Sequence, residues 1–545
     1  MNKVMKVSAL LSATIILGSS LATVATVPTA SAAGYKTINW TETADLGTMD
    51  PSVVTDVVSF DALQASGEGL YRNDKKQKPQ LALAKSVDES ADGLTYTFHL
   101  RSGLKWANGD ALTAQDFVYG WQRTNDPKTA SQYAYLFSGI KNADAIQNGE
   151  DTDLSSLGVK AVDDTTLEVS LEKPMPQLKA ILTMAQFYPQ NKNFVEKVGK
   201  KYGTAAKYTL ANGPFILKGW TGSNNKYSFV KNDKYYDAKA VKSKKIVVQT
   251  VKDQNTGYNL YKSGKVDFTN LSADQVTASK KNKAYKVIPQ ATTFYLQFNE
   301  EKAEFANTKI RQAISYSIDR SQMAKKILTG TATPADTFTS TDLAIDPNTG
   351  KDFAKSSAVK GAIAYNAKKA ATLYKEGLKE LGKKNITFTL TTDDTDGAKK
   401  TAQFIQAQVQ KNMKGSKVEV QTVPFKQRLN LSSTKKYDVV ISAWGADYAD
   451  PSSFLDLYTS DSSFNEGSWK NADYDALMAK ASGADVLDPD ARYKDMTEAE
   501  QIIEKEVGVA PLYYRSYAVL LNPSVKDVIT SSIGSPYDWK YAYKK

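Results

Sequence analysis

The chain has 545 residues, 41% hydrophobic and 10% aromatic, with one histidine, no cysteine and a formal charge of +11. That is the composition of a folded protein too long for a single core, so two or three domains are expected. The absence of cysteine excludes disulfides, a thiol nucleophile, a cysteine-based metal site and a lipid-modified N-terminal cysteine.

Residues 1–32 read as a secretory signal peptide. Lys3 and Lys6 form a basic start, an uncharged stretch of small and apolar residues follows, and Ala30-Ser31-Ala32 supplies the small-x-small cleavage pattern. No later run approaches the ~20 apolar residues of a membrane helix, so the mature protein is expected outside the cytoplasm, periplasmic, secreted or held at the cell surface. Export argues against nucleic acid as a partner. The lysines occur in scattered pairs (Lys75-Lys76, Lys200-Lys201, Lys244-Lys245, Lys383-Lys384), which fits a solvated surface better than attraction to an anionic envelope, the second reading.

Residues 36–40 predict a short strand, and residues 94–100 (LTYTFHL) alternate at period two, as a half-buried strand does. Thr113, with Asp116 three positions on, predicts a capped helix carrying Phe117 and Trp121 on one face. Residues 165–171 predict another strand, ended by Pro174 and Pro176. Residues 308–328 carry a helical apolar stripe through Ile310, Ala313, Ile314 and Ile318. Asn366 predicts the cap of a helix with apolar positions to Leu381, and Gly382 its C-terminal stop. A strand at 386–391, a helix at 398–413 and a strand at 418–423 form a strand–helix–strand unit, which implies parallel pairing and a doubly wound α/β domain. Residues 437–443 supply a further strand.

The loop after that strand, WGADYADPSSFLDLY from Trp444 to Tyr458, is acidic in a basic chain. Ligands of open α/β sheets bind beyond the carboxyl ends of strands, where this loop lies. Asp450, before Pro451 and an apolar-spaced run, reads as a helix N-cap, and Asp456 as a surface position on that helix. Asp447 has no such task, and spacing alone favours turn hydrogen bonds for it.

Residues 444–455 (WGADYADPSSFL) resemble the most characteristic stretch of the oligopeptide-binding proteins of ABC importers. In the same family order stand EGLY at 68–71, TYTFHLR at 95–101, WANGD at 106–110, TAQDFVY at 113–119, LANGPF at 210–215, YLQFN at 295–299, IRQA at 310–313 and IDR at 318–320. The resemblance runs from about residue 36 to the end. It implies an α/β, two-lobed, periplasmic-binding-protein-like clam-shell with an additional inserted small domain. The first lobe would comprise residues 33–69, 188–293 and 512–545, the inserted domain 70–187, and the second lobe 294–511, with hinge crossings near Phe298 and Pro511.

The resemblance further implies a peptide held in extended form by main-chain hydrogen bonds between closing lobes, then delivered to a membrane permease. Asp447 would grip the peptide's α-ammonium, with Trp444, Gly445 and Tyr448 shaping the groove. Tyr133 is expected to reach the peptide from the small domain, and Asn212 and Gly213 to line the cleft. For these three, core or turn roles are equally open. Neither a metal nor a cofactor is expected, and the chain should be a monomer. Ile441, three before Trp444, is apolar where some relatives carry a charge, so contacts to the peptide's carboxyl end cannot be carried over.

Two rival readings stand beside this one. A receptor for one signalling or cell-wall peptide would share the fold. A secreted hydrolase could use paired carboxylates such as Asp447 and Asp450, but GxSxG and HExxH motifs are absent and His99, the single histidine, sits in a strand beside Arg101.

Overall fold

The computed structural model describes residues 34–545, and the signal-peptide reading of residues 1–32 lies outside them. Three larger sheets organise the chain. The first, in spatial order, is Ile38–Glu42, Lys245–Thr250, Lys226–Lys231 and Phe215–Lys218, parallel in its first pair and antiparallel in the others. The second is antiparallel, in the order Ala84–Glu89, Thr95–Leu100, Thr166–Ser170 and Val159–Asp163. Its period-two pattern does what alternation dictates, burying Tyr96, Phe98 and Leu100 on one face.

The third sheet has seven strands. Its main path runs Phe268–Asn270, Val509–Leu521, Tyr285–Phe298, Val439–Gly445, Thr387–Asp393, Lys417–Val423, and Ala332–Pro334 pairs beside Val509–Leu521. Thr387–Asp393 and Lys417–Val423 pair in parallel across the helix Asp396–Asn412, as the strand–helix–strand pattern predicts. The helix Ala367–Leu381 starts on the Asn366 side chain and stops at Gly382, whose φ of 63° is the left-handed turn that glycine adopts without steric cost. Thr113 and Asp116 form the expected capping box.

The strands Tyr285–Phe298 and Val509–Leu521 are continuous across the expected lobe boundaries at 293/294 and 511/512. Their opposite ends enter different cores. Ile288, Val519 and Leu521 pack in a cluster with Trp40 and Phe268, whose rings stack 3.7 Å apart. Leu296, Phe298, Ala510 and Leu512 pack instead with Ile310, Tyr374 and Ile405. A third cluster joins Phe98 and Trp121 to Trp444 and Phe454.

The stripe at 308–328 is not one helix. Helix Thr308–Tyr316 gives way to a new turn whose first N–H groups are capped by Asp319, with Gln322 N donating to Oδ1 at 2.8 Å. A good N-cap competes with helix continuation, and here it wins because buried Arg320 binds the carbonyls of Pro511 and Ile363 at 2.5 and 2.7 Å.

Candidate functional site

The strand Val439–Gly445 is buried over Val439, Val440 and Ile441 and lies between an antiparallel and a parallel neighbour. Its end delivers Trp444, Gly445 and Asp447 to a cleft cavity of ≈ 270 Å³, also lined by Tyr133 and Phe60. A second cavity of ≈ 230 Å³ adjoins it, the two sharing Phe294, Asp393, Ile441 and Arg515.

Ser453 holds the loop twice. Its hydroxyl accepts from Asp447 N at 2.8 Å, and its carbonyl accepts from Trp444 Nε1 at 2.8 Å. The Asp447 backbone is thereby fixed while its side chain turns into the cleft. Tyr133 Oη donates to Oδ1 at 3.4 Å, and Oδ2 is buried with no hydrogen-bond partner among the described residues. Burial pushes the Asp447 carboxyl up to about 8, against the Tyr133 hydrogen bond that lowers it. The Tyr133 ring stacks on Trp444 at 5.9 Å, and Phe464 stands edge-on to both, at 5.0 and 4.7 Å. The result is a desolvated carboxyl group in an aromatic frame, suited to ionise against a compact cation that brings its own hydrogen-bond donors.

Four of the seven predicted positions, Tyr133, Trp444, Gly445 and Asp447, therefore meet in one cavity. The other three do not line it. Tyr448 is buried in the core behind the loop, its hydroxyl 3.1 Å from Ser452 Oγ. Asn212 exchanges hydrogen bonds with the backbone of Glu68, donating to O at 2.8 Å and accepting from N at 3.1 Å. Gly213 lies against Gly67 so closely that a Cβ would meet its carbonyl oxygen at 2.5 Å. Both residues join segments distant in sequence.

The acids of the loop separate by task. Asp450 accepts from Ser452 N at 2.9 Å, as a cap should, and also forms a two-pronged ion pair with Arg492 at 2.7 and 2.8 Å. Asp456 is not a surface residue. It is half-buried, and desolvation beside Asp450 pushes its carboxyl up to about 7. Sequence reasoning also missed Phe464 and Arg515, which lack any motif that marks them, and Ser453, which lies in the 444–455 motif but was given no role. His99 pairs with Asp88 at 2.8 Å, in the antiparallel four-stranded sheet.

A profile of the bacterial extracellular solute-binding proteins, family 5 (middle region), matches residues 78–466. The chain belongs to this family. The dipeptide-binding protein of Lactococcus lactis is 40% identical over 528 residues, covering 94% of this chain and 94% of that protein. The peptide-bound OppA of Listeria monocytogenes superposes with a TM-score of 0.90 at 41% identity, over 94% of this chain and 99% of that one. The architecture is accordingly the α/β two-lobed clam-shell with an inserted small domain. Two structures of the murein tripeptide-binding protein MppA, each 28% identical over 94% of this chain, bear on lobe arrangement. That of the Escherichia coli protein covers 99% of its chain at a TM-score of 0.86, whereas the unliganded open form covers 97% at only 0.62. The lobes of this chain are arranged unlike that open form.

Proposed function

We propose that this protein captures oligopeptides in extended form between two closing lobes and hands them to the membrane permease of an ABC importer. One observation carries the reading: a buried, unpartnered carboxylate oxygen on Asp447, aimed into a cleft framed by Tyr133 and Trp444. A peptide α-ammonium supplies the missing charge and donors. The peptide-bound relative, of nearly the same length and fold, supports peptide as the ligand.

In this reading residues 33–69, 188–293 and 512–545 form one lobe, 294–511 the other and 70–187 the inserted domain. The two long strands shared by two cores are the hinge. A lobe that rotates about continuous strands keeps its own core intact, so closure costs little internal packing. The protein acts as a monomer outside the cytoplasm, its positive charge suits association with an anionic envelope, and it catalyses nothing. Asp450, the second acid of the rival hydrolase reading, is already engaged by Arg492.

The test is to purify the protein natively, denature it and identify by mass spectrometry what it releases. A ladder of unrelated short peptides is the expected result, and one defined peptide would instead mark a signal or cell-wall receptor. Release of no peptide, together with no peptide binding after refolding, would overturn the proposal.

A further inference from the structure

Three cations line the two adjoining cavities: Lys400, Arg428 and Arg515. Arg428 is paired with Asp393 at 3.1 Å, and Lys400 with Asp274 at 3.3 Å. Arg515 has no carboxylate partner among the described residues, and its Nε is buried without a hydrogen-bond acceptor. Its guanidinium is nevertheless held in place, 5.4 Å from the centroid of the Phe294 ring and 4.5 Å from that of Tyr517. Glu42 and Asp61 of the adjoining cavity are poor countercharges, because burial pushes both carboxyls up, Glu42 to about 7.

Backbone irregularity aims this side chain. Arg515 falls where the pairing of Val509–Leu521 with Tyr285–Phe298 breaks register between Pro289 and Thr293, a bulge that re-aims side chains. The bulged segment accepts, at Ala291 O, a 2.8 Å hydrogen bond from the N–H of Ala446, the residue before Asp447. Arg515 and the Asp447 loop thus flank one strand, two strand spacings or ~10 Å apart, roughly the length of an extended tripeptide.

We propose that Arg515 is a specificity residue that binds a ligand carboxylate, so that the cleft reads both charged ends of a short peptide, Asp447 the ammonium and Arg515 the carboxylate. This rests on the peptide-binding reading of the same cleft. The planar guanidinium, lying over the Phe294 and Tyr517 rings, matches the fork of a carboxylate for a two-pronged hydrogen bond. The carboxylate comes from the peptide's C-terminus or from an acidic side chain near it.

The experiment is titration calorimetry on refolded, ligand-free protein, using alanine peptides of two to five residues, their C-terminal amides, their N-acetyl forms, and amides carrying one Glu or one Gln. Wild type should bind the free-ended peptides and lose at least about tenfold on amidation. In Arg515→Gln that penalty should vanish while the N-acetylation penalty persists, and Arg515→Lys should keep part of it. If the penalty follows Glu-to-Gln exchange in the ligand and vanishes in Arg515→Gln, the same guanidinium serves an acidic side chain. An amidation or Gln penalty equal in wild type and Arg515→Gln, with thermal melting of the variant unchanged, overturns the assignment to Arg515 alone. Wild type that binds none of the peptides overturns the reading of the cleft itself.

Discussion

The hydroxyl of Tyr133 reaches Oδ1 of Asp447 at 3.4 Å, although the two residues lie 314 positions apart in the chain. This contact closes one wall of the cleft, and it leaves Oδ2 buried and unpaired. An isolated buried carboxylate is costly and a paired one is not, so ligand binding and the state of this residue are coupled.

Asp447→Asn should therefore weaken binding of free-ended peptides by about 3–5 kcal/mol, the cost of removing one partner of a buried pair. Calorimetry on wild type and variant reads this directly. N-acetylated peptides should bind the two proteins alike. A variant that keeps its preference for free amines would assign the ammonium to another group.

Peptide binding should release protons below pH 8. Burial in this lobe arrangement pushes the Asp447 carboxyl up to about 8, so there it is largely protonated at pH 6.5 and must ionise to pair with an ammonium. Affinity then rises with pH from about 5 to about 7.5, and falls once the peptide amine, with its usual value near ~8, loses its proton. Calorimetry in buffers of different ionisation enthalpy should count about one proton released at pH 6.5, and none for Asp447→Asn.

The same group makes this lobe arrangement, without a ligand, less stable as pH rises. Its folded value, raised from 3.8 to about 8, means that the folded state binds more protons than the unfolded one between those limits. The contribution is favourable below pH 4 and is lost as pH climbs to 8. Thermal melting of ligand-free protein should show Asp447→Asn gaining on wild type by about 1–3 kcal/mol at pH 8, the cost of an unsatisfied buried group, with the gap closing at pH 5.

Tyr133 should separate into two effects. Tyr133→Phe removes only the hydrogen bond, which raises the Asp447 value further and costs about 0.5–1.5 kcal/mol of peptide affinity at neutral pH. Tyr133→Ala also empties the space against Trp444 and Phe464, so it should cost stability on the order of 3–5 kcal/mol as well. Equal effects of the two changes would show that the hydroxyl, not the ring, is what matters.

Lys252 bridges Asp45 at 3.0 Å and Asp394 at 3.2 Å, tying the segment of one proposed lobe to the other. All three side chains are partly exposed, so screening limits the bridge to about 0.2–1 kcal/mol. Lys252→Ala should lower peptide affinity a few-fold through closure alone, with the difference shrinking at high salt. Small-angle scattering should show the ligand-free variant more extended than wild type.

Much of the local structure was legible in the sequence because its causes are local. Asn366 and Gly382 bound a helix through their own backbone preferences, and residues 94–100 alternate because one face of a strand is buried. The helix break at Asp319 was missed because the apolar stripe runs on through it, and only burial of Arg320 against the Pro511 and Ile363 carbonyls decides for the cap. Asp456 was placed on the surface by helical spacing. Its burial follows from what packs over the loop, which spacing does not contain.

The sequence by itself determined the family, the α/β alternation and the single acid of the 444–458 loop with no structural task, since motifs and periodicity are properties of the chain. The tertiary structure decided which residues share the cleft. It brought Tyr133 and Phe464 to Asp447, placed Asn212 and Gly213 in a backbone junction instead, and left Arg515 as the cleft cation without a carboxylate partner among the described residues. Whether a charge is paired depends on distances between segments that are hundreds of residues apart, and those distances exist only once the lobes have formed around their separate cores.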